Sequence, residues 1–358
     1  MPADNPVPPD KAPPTPNLQA SLEPPSTANI IFFGADGLRA GWSLLIFVAL
    51  LAVVMFAAFG IGKILYPTQA HVDTSSLPVG IALIGEVIPF FAVLLVAWIM
   101  SKIEGRANGV YGLGGRYKVQ HFLAGLGWGV ACLSLLVFAL REAGFLVFDS
   151  RLLRGGDILR YGAVWLIAFL FVGLFEEYVM RGYLQYTVAR GLAGFYRWAF
   201  RSRNSVSLGY WSSALLISCL FGLGHGKNPG ESPIGLVAAG FVGLVFCLSL
   251  WRTGSLWWAI GMHAGWDWAQ SFLYGVPDSG GMVAHHLMAT RHLGKTLLSG
   301  GTTGPEGSIL VLPVLLLITL IIVFTLPQTG AYAANMPAGT LASDRPEIAQ
   351  TIPAQPVS

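Results

Sequence analysis

Long stretches of consecutive apolar residues recur through the middle of this 358-residue chain and constrain its fold more than any other feature. A helix needs about 20 apolar residues to cross the hydrocarbon core of a bilayer, and a crossing helix satisfies its own backbone hydrogen bonds. We therefore predict an all-α, polytopic membrane helix bundle with about eight transmembrane helices. The predicted segments lie near residues 41–62, 79–101, 121–147, 162–187, 210–227, 233–251, 254–274 and 308–326.

The composition supports a membrane environment. Hydrophobic residues make up 54% of the chain and charged residues 11%, whereas soluble domains carry about 25% charged residues. The net charge is +3 and the sequence has no long basic run, so we expect membrane lipid rather than nucleic acid as a partner.

The three cysteines lie in apolar runs, and we interpret them as small packing residues rather than a disulfide framework. They are Cys132, Cys219 and Cys247.

Both ends of the chain are rich in proline, alanine and polar residues. Such segments cannot bury a core, so residues 1–38 and 328–358 are predicted to be disordered tails. Residues 39–327 then form the membrane-embedded domain. Its fifth and sixth apolar segments are short and are separated by Lys227-Asn228-Pro229-Gly230, so they could also be one interrupted segment.

Basic residues concentrate in the loops after the second and fourth segments, which an even number of crossings places on the same side. The positive-inside rule then puts these loops and both termini in the cytoplasm, and we expect a bacterial inner membrane. Three arginines after the third segment oppose this orientation: Arg151, Arg154 and Arg160. The basic residues that favour it are Lys102, Arg106, Arg116, Lys118, Arg190, Arg197, Arg201 and Arg203.

Three predicted membrane segments carry ionisable side chains, which are costly in lipid and usually functional. A further glutamate, Glu86, lies in the second segment. The three groups are Glu176, Glu177 and Arg181 in the fourth segment, His225 at the end of the fifth, and His263 and Asp267 in the seventh.

Helical spacing separates the roles of these residues. Glu177 and Arg181 are four residues apart and can pair on one helix face, as can His263 and Asp267. Glu176 is rotated about 100° from Glu177 and can face a cavity instead.

Two carboxylates and two histidines suit hydrolysis. A glutamate can remove a proton from water, and histidines can hold a metal ion that activates the water or stabilise an oxyanion. Each group also has a structural interpretation: a buried ion pair, a core histidine or a hydrogen-bond clamp between helices. Burying three independent groups of ionisable side chains in one small protein is costly, so we favour a functional role over a purely structural one.

These motifs resemble the CPBP family, the CAAX proteases and bacteriocin-processing proteins related to Rce1-type endopeptidases. The resemblance covers about residues 110–327 and rests on three sequences, each on its own segment. They read Glu176-Glu177-x-x-x-Arg181, Phe221-x-x-x-His225 and His263-x-x-x-Asp267. The resemblance implies an all-helical intramembrane endopeptidase that cleaves a membrane-associated or lipidated protein or peptide.

The resemblance also implies roles for individual residues. Glu176 and His225 would activate the attacking water. His263 and Asp267 would form the oxyanion hole or complete the polar site, and Glu177 and Arg181 would support these residues. A divalent metal such as zinc could be bound by Glu176, His225 and His263, and a metal-free mechanism is also compatible with these residues. Rce1-type enzymes carry asparagine where this chain has Asp267. An ionised aspartate cannot donate a hydrogen bond, so this residue could instead bind a metal or donate when protonated.

The sequence is also compatible with other functions. A transporter with a buried polar relay would use similar residues, although no repeat of two halves is evident. A non-catalytic immunity or scaffold protein of the same fold would retain the polar residues without catalysing a reaction.

The loop at 275–306 contains His285, His286 and His292, which could bind a metal. We predict instead that this segment is a solvated glycine-rich loop.

Overall fold

A computed structural model of the protein describes residues 31–34, 36–65, 79–228 and 230–336. The α-helices in these ranges are α1 Ala40–Leu65, α2 Val79–Ile103, α3 Lys118–Glu142, α4 Gly156–Glu177, α5 Gln185–Phe200, α6 Ser205–His225, α7 Pro233–Thr253, α8 Trp257–Asp267, α9 Thr296–Ser299, α10 Val311–Thr325 and α11 Ala331–Asn335. Short strands form two antiparallel pairs, β1 Phe33–Gly34 with β2 Gly37–Leu38, and β3 Leu146–Arg151 with β4 Met288–His292. Two π-helical stretches follow α4 and α8, at Tyr178–Leu184 and Trp268–Leu273.

A helix is present at each of the eight predicted positions, so the predicted helical bundle is confirmed. In the described part of the chain, six helical runs are long and apolar enough to cross a membrane: α1, α2, α3, the continuous run from α4 to α5, α6 and α7. The apolar helix α10 is shorter, and the number of crossings stays a prediction. The fifth and sixth predicted segments are two separate helices, α6 and α7.

Contacts at the ends of α3 and α8 show in which direction these two helices run relative to each other. Leu256, just before α8, donates its backbone N–H to Gly112, just before α3. At the other ends of these two helices, β3 follows α3 and pairs with β4, which follows α8. Helices α3 and α8 therefore run side by side in the same direction, as the predicted topology requires.

The packed structure extends into both predicted tails. Asp36, in the β1–β2 turn, forms an ion pair of 3.0 Å with Arg197 of α5. Tyr332 of α11 is buried, with its ring centroid 4.5 Å from that of Tyr210. These two side chains contact residues far along the chain, and the domain boundaries at 38 and 328 stay a prediction. The rest of the predicted tails, 1–30 and 337–358, lies outside the described residues.

Glycines allow α3 and α8 to approach at backbone distance. Gly125 and Gly129 of α3 face Gly261 and Gly265 of α8, and each pair is four residues apart. A Cβ atom added to Gly125 would lie 2.8 Å from the backbone nitrogen of Met262. Small residues commonly permit such close helix contacts in membranes. This contact fixes the position and rotation of α8.

We expect Gly125→Val to lower the free energy of unfolding by about 3 kcal/mol, because the added atoms would meet backbone that cannot move aside. Gly127→Val is the matched control, since a Cβ there meets nothing within 4 Å. Thermal unfolding in detergent measures both variants. Equal melting temperatures for the two would contradict close α3–α8 packing.

Candidate active site

The two adjacent glutamates at the end of α4 have different surroundings. The Glu177 side chain is fully buried, whereas that of Glu176 is 29% exposed and lines a cavity. The π-helical turn that begins at Tyr178 follows directly. Such turns interrupt helices at a cost and are frequent at functional sites. The predicted divergence of the two carboxylates is confirmed.

Arg181 is held by a carboxylate and an aromatic ring. Its Nη1 donates to Oε1 of Glu177 at 3.0 Å, which confirms the predicted pair. Its guanidinium carbon lies 4.0 Å from the ring centroid of Phe221, at cation–π distance. Gly243 leaves room for this group, since an added Cβ would lie 2.7 Å from Nη2. The phenylalanine of the second motif therefore supports the arginine of the first.

His263 connects the motifs of α4 and α8. Its Nδ1 lies 3.0 Å from the same Glu177 oxygen, and a carboxylate only accepts, so Nδ1 donates. Its Nε2 lies 3.8 Å from Oε2 of Glu176 and 3.5 Å from Oδ2 of Asp267. Glu177 thus fixes the orientation of the ring, and Nε2 is directed at the other two carboxylates.

His225 ends α6 and is oriented by its own helix. Its Nδ1 is 2.8 Å from the backbone oxygen of Phe221, so Nδ1 carries a proton and donates. The other ring nitrogen, Nε2, is left for a group in the cavity. The tautomer of this histidine is therefore set by the helix backbone.

A cavity of about 240 Å³ brings four of the predicted site residues together. Glu176, His225, His263 and Asp267 all line it, while Glu177 and Arg181 lie behind them in the bundle. Most of the remaining wall is apolar and comes from α4, α6, α7, α8 and α10. Representative wall residues are Phe169, Phe221, Val242, Met262 and Leu315.

The loop before α10 supplies three further cavity residues that the sequence analysis did not assign: Asp278, Ser279 and Glu306. Oε1 of Glu306 accepts hydrogen bonds from the backbone and the hydroxyl of Ser279, and Oδ2 of Asp278 accepts from Ser271 at 3.1 Å. No helical spacing links these residues to the motifs. This part of the predicted solvated loop instead packs against the site.

The loop carboxylates give the cavity an acidic wall. Burial raises the pKa of Asp278, and the nearby carboxylates Asp267 and Glu306 raise it further. Burial also raises the pKa of Glu306, although the hydrogen bonds from Ser279 oppose that effect. Glu86 of α2 is close enough to Glu176 to interact with it electrostatically.

The sequence predicts a possible metal site among the histidines and carboxylates. Among the described residues, no group of three or more His, Cys, Asp or Glu side chains is arranged to hold a metal ion. The suggested ligands Glu176, His225 and His263 share the cavity, and both histidines use Nδ1 for protein hydrogen bonds, which leaves Nε2 as the atom that could bind a metal. Metal binding by these residues stays a prediction. In the loop, His285 stacks on Tyr161 with ring centroids 4.2 Å apart.

Comparison with known proteins finds a family model that matches the central part of the chain. Residues 159–269 match the family described as type II CAAX prenyl endopeptidase Rce1-like. This segment contains all three motifs, so the resemblance inferred from the sequence is confirmed over this range. Neither the curated proteins nor the solved structures contain a match to the chain. With its apolar helices, the chain is an integral membrane protein.

Proposed function

We propose that this chain, whose residues 159–269 form an Rce1-like domain, is an intramembrane endopeptidase that cleaves a peptide bond with an activated water. The observation that carries the proposal is the convergence of Glu176, His225, His263 and Asp267 on one cavity. These residues come from three helices and lie up to 91 positions apart. Polar groups gathered inside a lipid-embedded bundle are costly, and catalysis is a function that requires them together.

In the proposed reaction, Glu176 is the general base. It takes a proton from a water molecule while the water oxygen attacks the carbonyl carbon of the scissile bond. Nε2 of His225 accepts a hydrogen bond from the same water and orients it. When the C–N bond breaks, Glu176 returns the proton to the leaving nitrogen, which restores the starting carboxylate.

His263 and Asp267 are proposed to face the carbonyl oxygen as it becomes negatively charged. A protonated Nε2 of His263 donates a hydrogen bond to this oxyanion. Glu177 holds the ring through Nδ1, and Arg181 in turn holds Glu177. Glu177 and Arg181 are therefore positioning residues. No step of the proposed reaction uses a metal ion.

The proposed substrate is a membrane-associated or lipidated protein or peptide, and we place the protein in a bacterial inner membrane with both termini in the cytoplasm. The test uses purified protein in liposomes with three peptides: one ending in a farnesylated cysteine and three further residues, the same peptide without the lipid, and an unrelated membrane-spanning peptide. Cleavage of any one supports the proposal, and the pattern identifies the substrate class. Intact peptides in all three reactions, with uptake of a small solute into the liposomes, would instead support a transporter.

Asp267→Asn tests whether this residue faces the oxyanion. We expect the variant to keep activity within about tenfold of the wild type, because asparagine supplies a donor at the same place, whereas Asp267→Ala should lose about 10²–10³-fold. Peptide cleavage and elemental analysis of both purified variants give the answer. A sharp loss of activity together with loss of bound metal in Asp267→Asn would show that Asp267 is a metal ligand.

A further inference from the structure

A second concave surface, which we call the α2 groove, has a lining that shares no residue with that of the active-site cavity. Its volume is about 600 Å³. One wall is formed by α2 residues Phe91, Leu94, Leu95 and Trp98. The rest is formed by the loop between α2 and α3, by Tyr178, and by the first residue of α3: Asn108, Gly109, Leu113, Gly114, Tyr178 and Lys118.

The wall on α2 is a continuous apolar stripe. Its four residues follow the spacing i, i+3, i+4 and i+7, so they share one helix face. They extend over about 10 Å along the helix axis, at 1.5 Å per residue. Phe91, Leu95 and Trp98 are each about half exposed, as expected of side chains that contact lipid rather than other helices.

Positive charge collects at one end of this stripe, where the chain leaves α2 and enters α3. Lys118 lines the groove, and the ammonium group of Lys102 lies 5.8 Å from the ring centroid of Trp98. Arg116 is two residues before Lys118 and is also exposed. Lys118 also begins α3, where the helix dipole adds to the positive potential.

These charges have no carboxylate to neutralise them within the described residues. Lys102, Arg116 and Lys118 form no ion pair there. Glu104, in the same loop, is turned to the buried side, where it pairs with Arg106 at 2.9 Å and accepts a hydrogen bond from Tyr183. The end of the groove is therefore cationic, and its natural complement is an anion.

We infer that the α2 groove binds an anionic phospholipid, with an acyl chain along the stripe from Phe91 to Trp98 and the phosphate beside Lys118. An apolar stripe along a helix long enough to cross a membrane, ending in cations that form no ion pair among the described residues, matches the shape and charge of such a lipid. Basic pockets beside membrane helices on the cytoplasmic side commonly bind anionic head groups. The predicted orientation places this end on that side. Tyr178, which also lines the groove, directly follows Glu177, so the bound lipid would contact the π-helical turn that follows the two glutamates of α4.

The first test measures lipid binding to the full-length detergent-solubilised protein by native mass spectrometry. Phosphatidylglycerol and phosphatidylcholine with identical chains are titrated separately. We expect phosphatidylglycerol to bind more tightly, and Lys118→Gln to weaken its binding about fivefold while leaving phosphatidylcholine unchanged, as loss of one basic residue near a head group predicts. Lys295→Gln, at the opposite end of the bundle, is the control and should have no effect. Equal binding of the two lipids, or equal losses in the two variants, would overturn the proposal.

The second test locates the acyl chain. Phosphatidylglycerol brominated on its chains should quench a fraction of the tryptophan fluorescence, and Trp98→Phe should remove that fraction, while thermal unfolding confirms that the variant is folded. Unchanged quenching in Trp98→Phe would place the lipid elsewhere and contradict the inference. Displacement of the brominated lipid by a farnesylated peptide at concentrations far below those at which unlabelled phosphatidylglycerol displaces it would assign the groove to an isoprenoid, which would also overturn the inference.

Discussion

Glu176→Gln is expected to lower peptide cleavage by about 10²–10⁴-fold, the range that a general base contributes. Glutamine has nearly the same shape but cannot accept the proton from water. Since Glu176 lines the cavity and its side chain is partly exposed, its replacement leaves no buried charge without a partner. The variant should therefore unfold at the same temperature as the wild type and still bind substrate.

Glu86→Gln is the matched control for this loss. Glu86 is also a half-buried glutamate in a membrane helix and interacts electrostatically with Glu176, but no step of the proposed reaction uses it. We expect its activity to stay within about tenfold of the wild type. Steady-state cleavage rates of both purified variants make the comparison. Full activity in Glu176→Gln would show that Glu176 is not the general base and would contradict the proposed mechanism.

Glu177→Gln is expected to lower the free energy of unfolding by about 3–5 kcal/mol, the cost of leaving a buried charge without its partner. Its carboxylate accepts from both Arg181 and His263 at 3.0 Å. An amide oxygen can still accept hydrogen bonds, but it does not neutralise the guanidinium. We expect measurable cleavage to remain, because Glu177 positions His263 and does not contact the water.

The double variant Glu177→Gln with Arg181→Met separates charge from packing. Because it removes both charges, its melting temperature should be higher than that of Glu177→Gln alone. Thermal unfolding and peptide cleavage are measured on the same preparations. A Glu177→Gln variant that is inactive at full stability, beside an active Glu176→Gln, would reverse the roles of the two glutamates.

Local patterns account for the parts of the structure that the sequence predicts well. The apolar runs predict the helices because bilayer thickness sets helix length. The i, i+4 spacing predicts the Glu177–Arg181 pair and the proximity of His263 to Asp267, since residues four apart lie about one turn apart on the same helix face. The 100° rotation between neighbours predicts that Glu176 and Glu177 diverge.

Contacts between distant segments are the parts that the sequence could not predict. The hydrogen bond from His263 to Glu177 spans 86 residues, and the ion pair between Asp36 and Arg197 spans 161. Neither has a periodic signal, because each depends on how complete helices pack. For the same reason, the sequence pattern does not indicate that Glu306 lines the cavity, although the loop that carries Glu306 folds onto the site.

The most direct test of the central claim is terminal-peptide mass spectrometry of membranes incubated in ¹⁸O-labelled water. Membranes containing the wild-type protein are compared with membranes containing Glu176→Gln at equal expression. If the chain is a water-activating endopeptidase, new peptide carboxyl ends carrying ¹⁸O will appear with the wild type and be absent with Glu176→Gln. Identical sets of labelled termini in the two membranes would contradict the proposed activity.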